Sequence, residues 1–192
     1  NAKLYSFPIN LFTMHQLWGV KTPTEAVNYI NKVKIRINNP KNMEEWCLAN
    51  VGREIYDIFF KNYTIKQWHI PPSEIPISVI KRIPIRFTYD DNYYSDVYQG
   101  IPIGGYTQMF FKMLDGIEVK LNTRIDKNWR SVARHLVYSG RPDELLDYKY
   151  GALPYLTLKF EHEIHDGDFQ GNAVINYVDK QTPYTRSVEH KH

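Results

Sequence analysis

Cysteine is almost absent: the 192-residue chain has one, Cys47. A disulfide framework within the chain is excluded, and a reducing compartment is the expected setting. Cys47 falls in a predicted helix and reads as a small core residue. Long apolar runs are missing too. None approaches the ~18 residues of a membrane-spanning helix, and no stretch reads as a signal peptide. A large excess of one charge sign is missing as well, with a net charge of +3. That argues against a nucleic-acid partner, which needs clustered Lys and Arg in a strongly basic domain. Glycine-rich phosphate cradles are missing: GIPIGG at 100–105 has neither the dinucleotide nor the P-loop spacing. No serine or cysteine nucleophile motif occurs. The histidines of HEIH at 162–165 stand three apart in a strand-like pattern, not four apart on a helix, so no metal is expected. HKH at 190–192 has no third ligand nearby and reads as surface. An enzyme built on this chain needs a cofactor held largely elsewhere.

What is abundant is tyrosine: 15, against 9 Phe and 4 Trp. Tyr and Trp combine a flat apolar body with a polar tip, which suits contact with sugars and bases. An apolar content of 43% is enough for a core.

The first hundred residues read as helical. TPTEAVNYINKV has Thr22 as N-cap, Pro23 at the first helical position and Glu25 three after the cap. NMEEWCLANVGREIYDIFF repeats the device with Asn42 and Glu45, and Leu48, Val51, Ile55, Ile58 and Phe59 form one apolar stripe along it. FTMHQLWG predicts a short helix stopped by Gly19. Residues 71–105 carry five prolines, much charge and no helical period, and read as loop. Beyond them GGYTQMFFKMLDG and PDELLDYKYG predict helices. IEVKL, RHLVYSG, YLTLKFEHEI and NAVINYV predict strands, the third alternating strictly. Strands without regular intervening helices suggest an antiparallel sheet. The expected fold class is α+β: a helical domain over 1–99, with a mobile lid loop at about 80–98, then a mainly antiparallel β-sheet domain over 100–192. The ends carry neither caps nor polar tails and read as those of an internal fragment of a longer protein.

FFKNYTIKQW at 59–68 gathers rings where a helix runs out. On an α-helix Phe59 and Tyr63 share a face, and Trp68 follows the next turn. A base could stack there; a core edge explains the same pattern. Arg82 and Arg186 supply forked donors suited to phosphate, or are solvated charges.

FPINLFTMHQLWGVKTPTEA, NYTIKQW, IKRIPIRFTYDDNYYSDVYQGIPIGGYTQMF, VYSGRPDELLDYKYGALPY and FQGNAVINYVD with PYTRSVEHKH occur in order through nearly the whole chain. Together they resemble the UDP-galactopyranose mutases. The resemblance implies a cytoplasmic FAD flavoenzyme with a Rossmann-like domain, a helical domain and an antiparallel sheet, and it implies that 100–192 also takes in part of the FAD domain. It implies an isomerase that interconverts UDP-galactopyranose and UDP-galactofuranose for cell-surface glycans, and it allows a homodimer. The covalent chemistry belongs to the reduced flavin, whose dinucleotide fingerprint lies upstream of this stretch in the family. By the resemblance, Phe59, Tyr63, Thr64 and Trp68 form the uridine pocket with Asn10 nearby. Arg82 closes over the diphosphate beside Tyr93, Asn176 and Arg186 face substrate and flavin, and Ser139 and Gly140 approach the FAD. Leu156 stands where the family commonly carries an arginine, on what reads as the apolar face of a strand. A non-catalytic UDP-sugar-binding module and a flavin amine oxidase-like relative are the alternatives.

Overall fold

The computed structural model describes residues 3–125 and 128–190. Helices dominate. α1 (Leu11–Trp18) starts at Asn10 and ends at Gly19, whose φ of 71° suits a residue without Cβ. α2 (Pro23–Val33) is capped by Thr22, which accepts from the Glu25 amide. α3 (Met43–Asn50) is capped in the same way by Asn42 and Glu45. In both, the glutamate reaches one residue further back than a capping box requires. Glu25 accepts from the Lys21 amide and Glu45 from the Lys41 amide.

The predicted helix from Asn42 to Phe60 is not one helix. Val51 leaves helical geometry, and Gly52 takes a φ of 81°, with the Val33 carbonyl oxygen 2.7 Å from where a Cβ would stand. The chain then resumes as α4 (Gly52–Ile55), a π-helical turn (Tyr56–Lys61) and α5 (Asn62–Trp68). The apolar stripe still points inward: Leu48, Val51, Ile55 and Phe59 are buried and Ile58 is half-buried. A kink and a widened turn keep the spacing pointing at the core where a straight helix would drift away from it.

The chain divides into two compact units, Asn1–Ser95 with Glu161–His192, and Asp96–Phe160. The first holds the whole apolar core, in which Ile9, Met14, Ala26, Cys47, Val51, Ile55, Tyr56, Ile75 and Ile80 are almost fully enclosed. Burial pushes the Cys47 thiol up to about 12, with Glu44 adding to the rise, so the residue behaves as an apolar filler. α6 (Ile77–Ile80) follows a stretch in which Ile75 accepts from the Met43 amide. Residues 86–88 lie beside 9–11: the Arg86 amide donates to Ile9, and the Leu11 amide to Thr88. The unit also carries β1 (Val174–Asn176) and β2 (Arg186–Val188), antiparallel, with Asn176 opposite Arg186.

The second unit contains α7 (Tyr106–Met113), a 3-10 turn (Trp129–Ser131) and α8 (Pro142–Leu145). Here the sheet expectation is corrected. Among the described residues, IEVKL, RHLVYSG and YLTLKFEHEI form no ladder, and the sheet consists of β1 and β2 alone. Alternation is a local signal, whereas a strand exists only with a partner edge. The Rossmann-like fold implied by the resemblance is likewise not seen among these residues. Leu156 is 55% exposed and lies on no strand face. No helix among the described residues is long and apolar enough to cross a membrane.

The one buried residue of the second unit's described part is charged. Asp143 accepts from the Leu153 amide (2.9 Å), the Tyr155 hydroxyl (3.0 Å) and the Glu144 amide (3.0 Å), with Arg141 at 3.7 Å. Burial pushes its carboxyl up, but the Leu153 amide, the Tyr155 hydroxyl and Arg141 outweigh it, leaving the group below the usual carboxylate range. A carboxyl depressed by folding stabilises above its unfolded pKa, and that contribution is lost as pH falls through the lower folded value. Protection of the Leu153 amide should therefore persist through the ordinary carboxylate range of about pH 4 and vanish only below it. Asp143→Asn should remove this acid step. Amide exchange against pH checks this; a midpoint at or above the ordinary value rules it out.

Candidate functional site

The π-helical turn decides what FFKNYTIKQW can do. An i to i+5 turn inserts an extra residue per turn and breaks the α-helical alignment of Phe59 with Tyr63; such turns recur at functional sites. Phe59 turns inward and is buried against Tyr5 (centroids 5.3 Å apart) and Phe7 (6.4 Å). Thr64 is 3% exposed, and its hydroxyl rests on the Met43 sulfur at 3.7 Å. Trp68 is half-buried, packed against the core at the end of α5, where His69 takes a φ of 58°. Only Tyr63 faces away, towards the hairpin.

There the structure assembles a polar cluster from residues more than a hundred positions apart. The Arg186 guanidinium donates through Nε to Asn176 Oδ1 (2.9 Å) and through Nη2 to the Tyr63 hydroxyl (3.3 Å). Asn176 and Arg186 meet because they are a register pair of β1 and β2. Two of the five guanidinium N–H groups are used, leaving a forked donor at the edge of α5.

Of the other predicted residues in this unit, none is hydrogen-bonded to the cluster among the described residues. Asn10 is fully buried and is consumed as the α1 cap: its oxygen accepts from the Thr13 amide (3.0 Å), and its amide donates to Ser6 (3.2 Å). Arg82 is exposed and makes no hydrogen bond or ion pair among the described residues. Tyr93 is exposed, edge-on to Tyr94 at 5.1 Å. Ser139 and Gly140 belong to the other unit, and the space beside Gly140 is filled by the Tyr138 ring, 2.5 Å from where a Cβ would stand. Of the histidines, His165 bonds to Glu163 (3.0 Å) and stacks on Phe169 (3.7 Å). Among the described residues no group of three or more His, Cys, Asp and Glu could hold a metal ion. His190 is exposed, and the rest of HKH lies outside the described residues.

Two residues were missed. Arg86, its side chain 12% exposed, gathers the loop that bears Tyr93: it pairs with Asp90 (3.1 Å) and donates to the Asn92 carbonyl and to Ser95 Oγ (3.2 Å). The Asn92 amides first, and then Arg86, hold the Asp90 carboxyl below its usual range. The spacing of Arg86 and Asp90, four apart, was the available signal. Lys66 donates to the carbonyls of Thr182 and Tyr184, each at 3.1 Å. Nothing in the local sequence marks that contact.

Residues 58–192 match the family model for UDP-galactopyranose mutase. The chain belongs to the UDP-galactopyranose mutase family. It is 43% identical over 196 residues to a probable UDP-galactopyranose mutase of Klebsiella pneumoniae, covering all of this chain and 51% of that protein. It is 42% identical over 205 residues to a dTDP-fucopyranose mutase of Escherichia coli, covering all of this chain and 54% of that protein. A UDP-galactopyranose mutase of Mycoplasma genitalium is 30% identical over 206 residues, with 97% of this chain and 50% of that protein covered. The chain thus spans about half the length of the curated relatives it matches. The mutase match begins inside the π-helical turn and includes the whole Tyr63–Asn176–Arg186 cluster.

Proposed function

We propose that the whole protein is a flavin-dependent mutase that interconverts the pyranose and furanose forms of UDP-galactose in the cytoplasm. The observation that carries this is the Tyr63–Arg186–Asn176 cluster, whose Tyr63 stands on the same helix α5 that ends in the half-buried Trp68, in a chain of the mutase family. Trp68 presents a ring to the uracil, and Arg82 and Arg186 hold the diphosphate. These residues position the nucleotide sugar and stabilise negative charge as the diphosphate departs. FAD is the cofactor the family implies. The described residues do not form a dinucleotide cradle: the turn at 138–140 is packed by its own tyrosine, so no cofactor contact is assigned to Ser139 or Gly140. The relatives reported above are all named as mutases, which leaves the non-catalytic module and the amine oxidase-like alternative without support.

A second reading, a dTDP-fucopyranose mutase, draws on the Escherichia coli relative of nearly equal identity. The test assays the whole protein with reduced flavin on UDP-galactofuranose and dTDP-fucofuranose side by side. The expected result is conversion of the uridine substrate with the higher kcat/KM. Conversion of the thymidine substrate alone selects the second reading, and conversion of neither rejects both.

Trp68→Ala should weaken UDP binding by about 1–3 kcal/mol, the cost of removing one stacking ring. The loss should be the same at low and high salt, because stacking is not a charge effect. Titration with UDP at two ionic strengths checks this. Wild-type affinity in the variant would make Trp68 a packing residue only.

A further inference from the structure

We propose that Lys66 is a positioning residue whose ammonium docks the turn between β1 and β2 onto α5 and thereby sets Arg186 against Tyr63. The proposal rests on the mutase reading and adds to it a residue that touches neither sugar nor nucleotide.

The hairpin cannot place itself. β1 and β2 pair over three residues each, and a two-stranded hairpin of that size is marginal by itself in water. Its internal order is good. The Tyr177 amide donates to the Thr185 carbonyl (2.9 Å), and Asp179 accepts from the amides of Gln181 (2.9 Å) and Thr182 (2.7 Å) and from the Thr182 hydroxyl (3.0 Å). Those bonds shape the turn without fixing it to anything else. The Arg186–Tyr63 bond joins it to α5, but at 3.3 Å it sits at the long end of the hydrogen-bond range, and Arg186 is exposed.

Lys66 supplies the stronger link. It lies three residues after Tyr63 on α5, so both side chains leave the same face. Its two acceptors, the carbonyls of Thr182 and Tyr184, stand four and two residues before Arg186. Both donors are cations, so number and length separate them: two bonds of 3.1 Å from Lys66 against one of 3.3 Å from Arg186. Lys66 is half-buried, and that burial pulls its pKa below the ordinary lysine value, with Asp179 acting in the opposite direction. A lysine with a merely solvated role would leave its ammonium in water. This one is held by two backbone carbonyls of a turn more than a hundred residues away, on the strand side that delivers Arg186.

The experiment uses the whole protein with Lys66→Met, Lys66→Arg, Arg186→Ala and the double variant. Lys66→Met should lower kcat about tenfold to a hundredfold, as misplacing a contact by about 1 Å does, with KM changed less than threefold. Lys66→Arg should regain most of the loss. In the Arg186→Ala background, Lys66→Met should cost less than twofold more, because the lysine acts through the arginine. If the two losses multiply, or kcat is unchanged, the proposal is overturned. Amide exchange without ligand gives a readout independent of turnover. Lys66→Met should raise exchange at Tyr177 and Glu189 at least threefold, and unchanged protection overturns the proposal. If no mutase activity is found in the wild type, the functional reading falls while the exchange arm still decides the docking. Should Lys66→Met fail to fold, Lys66→Gln takes its place in every arm.

Discussion

Arg82→Ala should lower turnover about a hundredfold, within the range for losing one donor aimed at developing negative charge. Arg82 is exposed just after α6 with no partner among the described residues, so a diphosphate would not compete with an existing ion pair. UDP binding should weaken as well, and here salt separates Arg82 from Trp68. Screening shortens from about 10 Å at 0.1 M to about 3 Å at 1 M. The gap in affinity between wild type and Arg82→Ala should therefore narrow as salt is added, while the Trp68→Ala gap stays constant. Titration at two salt concentrations, beside steady-state turnover, checks both. Turnover within threefold of wild type would return Arg82 to the role of a solvated charge.

Gly52→Ala should destabilise the protein by about 3 kcal/mol, because a non-glycine residue at positive φ costs about 1–3 kcal/mol and a backbone overlap is added. The new methyl would meet the Val33 carbonyl oxygen at 2.7 Å and the Val33 side chain at 3.1 Å. Neither yields cheaply, since Val33 ends α2. Gly19→Ala is the control: its φ is 71°, with nothing within 4 Å of the added carbon, so only the backbone strain remains. Urea unfolding followed by tryptophan fluorescence measures the two side by side. Equal losses would mean that the overlap with Val33 relaxes, and a Gly52→Ala loss under about 0.5 kcal/mol would remove the strain argument. UDP affinity should suffer too, because the bend at Gly52 sets the direction in which the π-helical turn and α5 carry Tyr63 and Trp68.

Much of the helical unit was legible from short-range chemistry. Caps and stops are local: Thr22 with Glu25, Asn42 with Glu45, Pro23 and Gly19 act within a turn or so of their own position. The inward set Leu48, Val51, Ile55 and Phe59 was legible because burial follows spacing. The break at Gly52 was not, since it depends on a carbonyl nineteen residues earlier approaching a backbone that has no Cβ. The strand patterns at 117–121, 134–140 and 155–164 mark side-chain alternation, but pairing needs a second edge, and alternation cannot say where that edge is.

The candidate site divides in the same way. Ring and guanidinium chemistry named Tyr63, Trp68 and Arg186, and the family resemblance added Asn176, because residue types and ordered motifs are properties of the string. Only the tertiary structure separated Phe59, Thr64 and Asn10, which serve the core and a helix cap, from Tyr63, which faces the hairpin. The extra residue of the π-helical turn breaks the shared face of Phe59 and Tyr63, and a hydrophobic pattern read at α-helical spacing does not contain that rotation. Lys66 and Arg86 came from the structure as well. Each is a long side chain whose role is set by the backbone carbonyls within its reach, and carbonyls are the same in every residue. The sequence by itself determined where the capped helices begin and stop and which chemistry the chain carries. The tertiary structure decided which side chains meet, because hydrogen bonds between residues such as Lys66 and Tyr184 depend on chain paths that no local preference records.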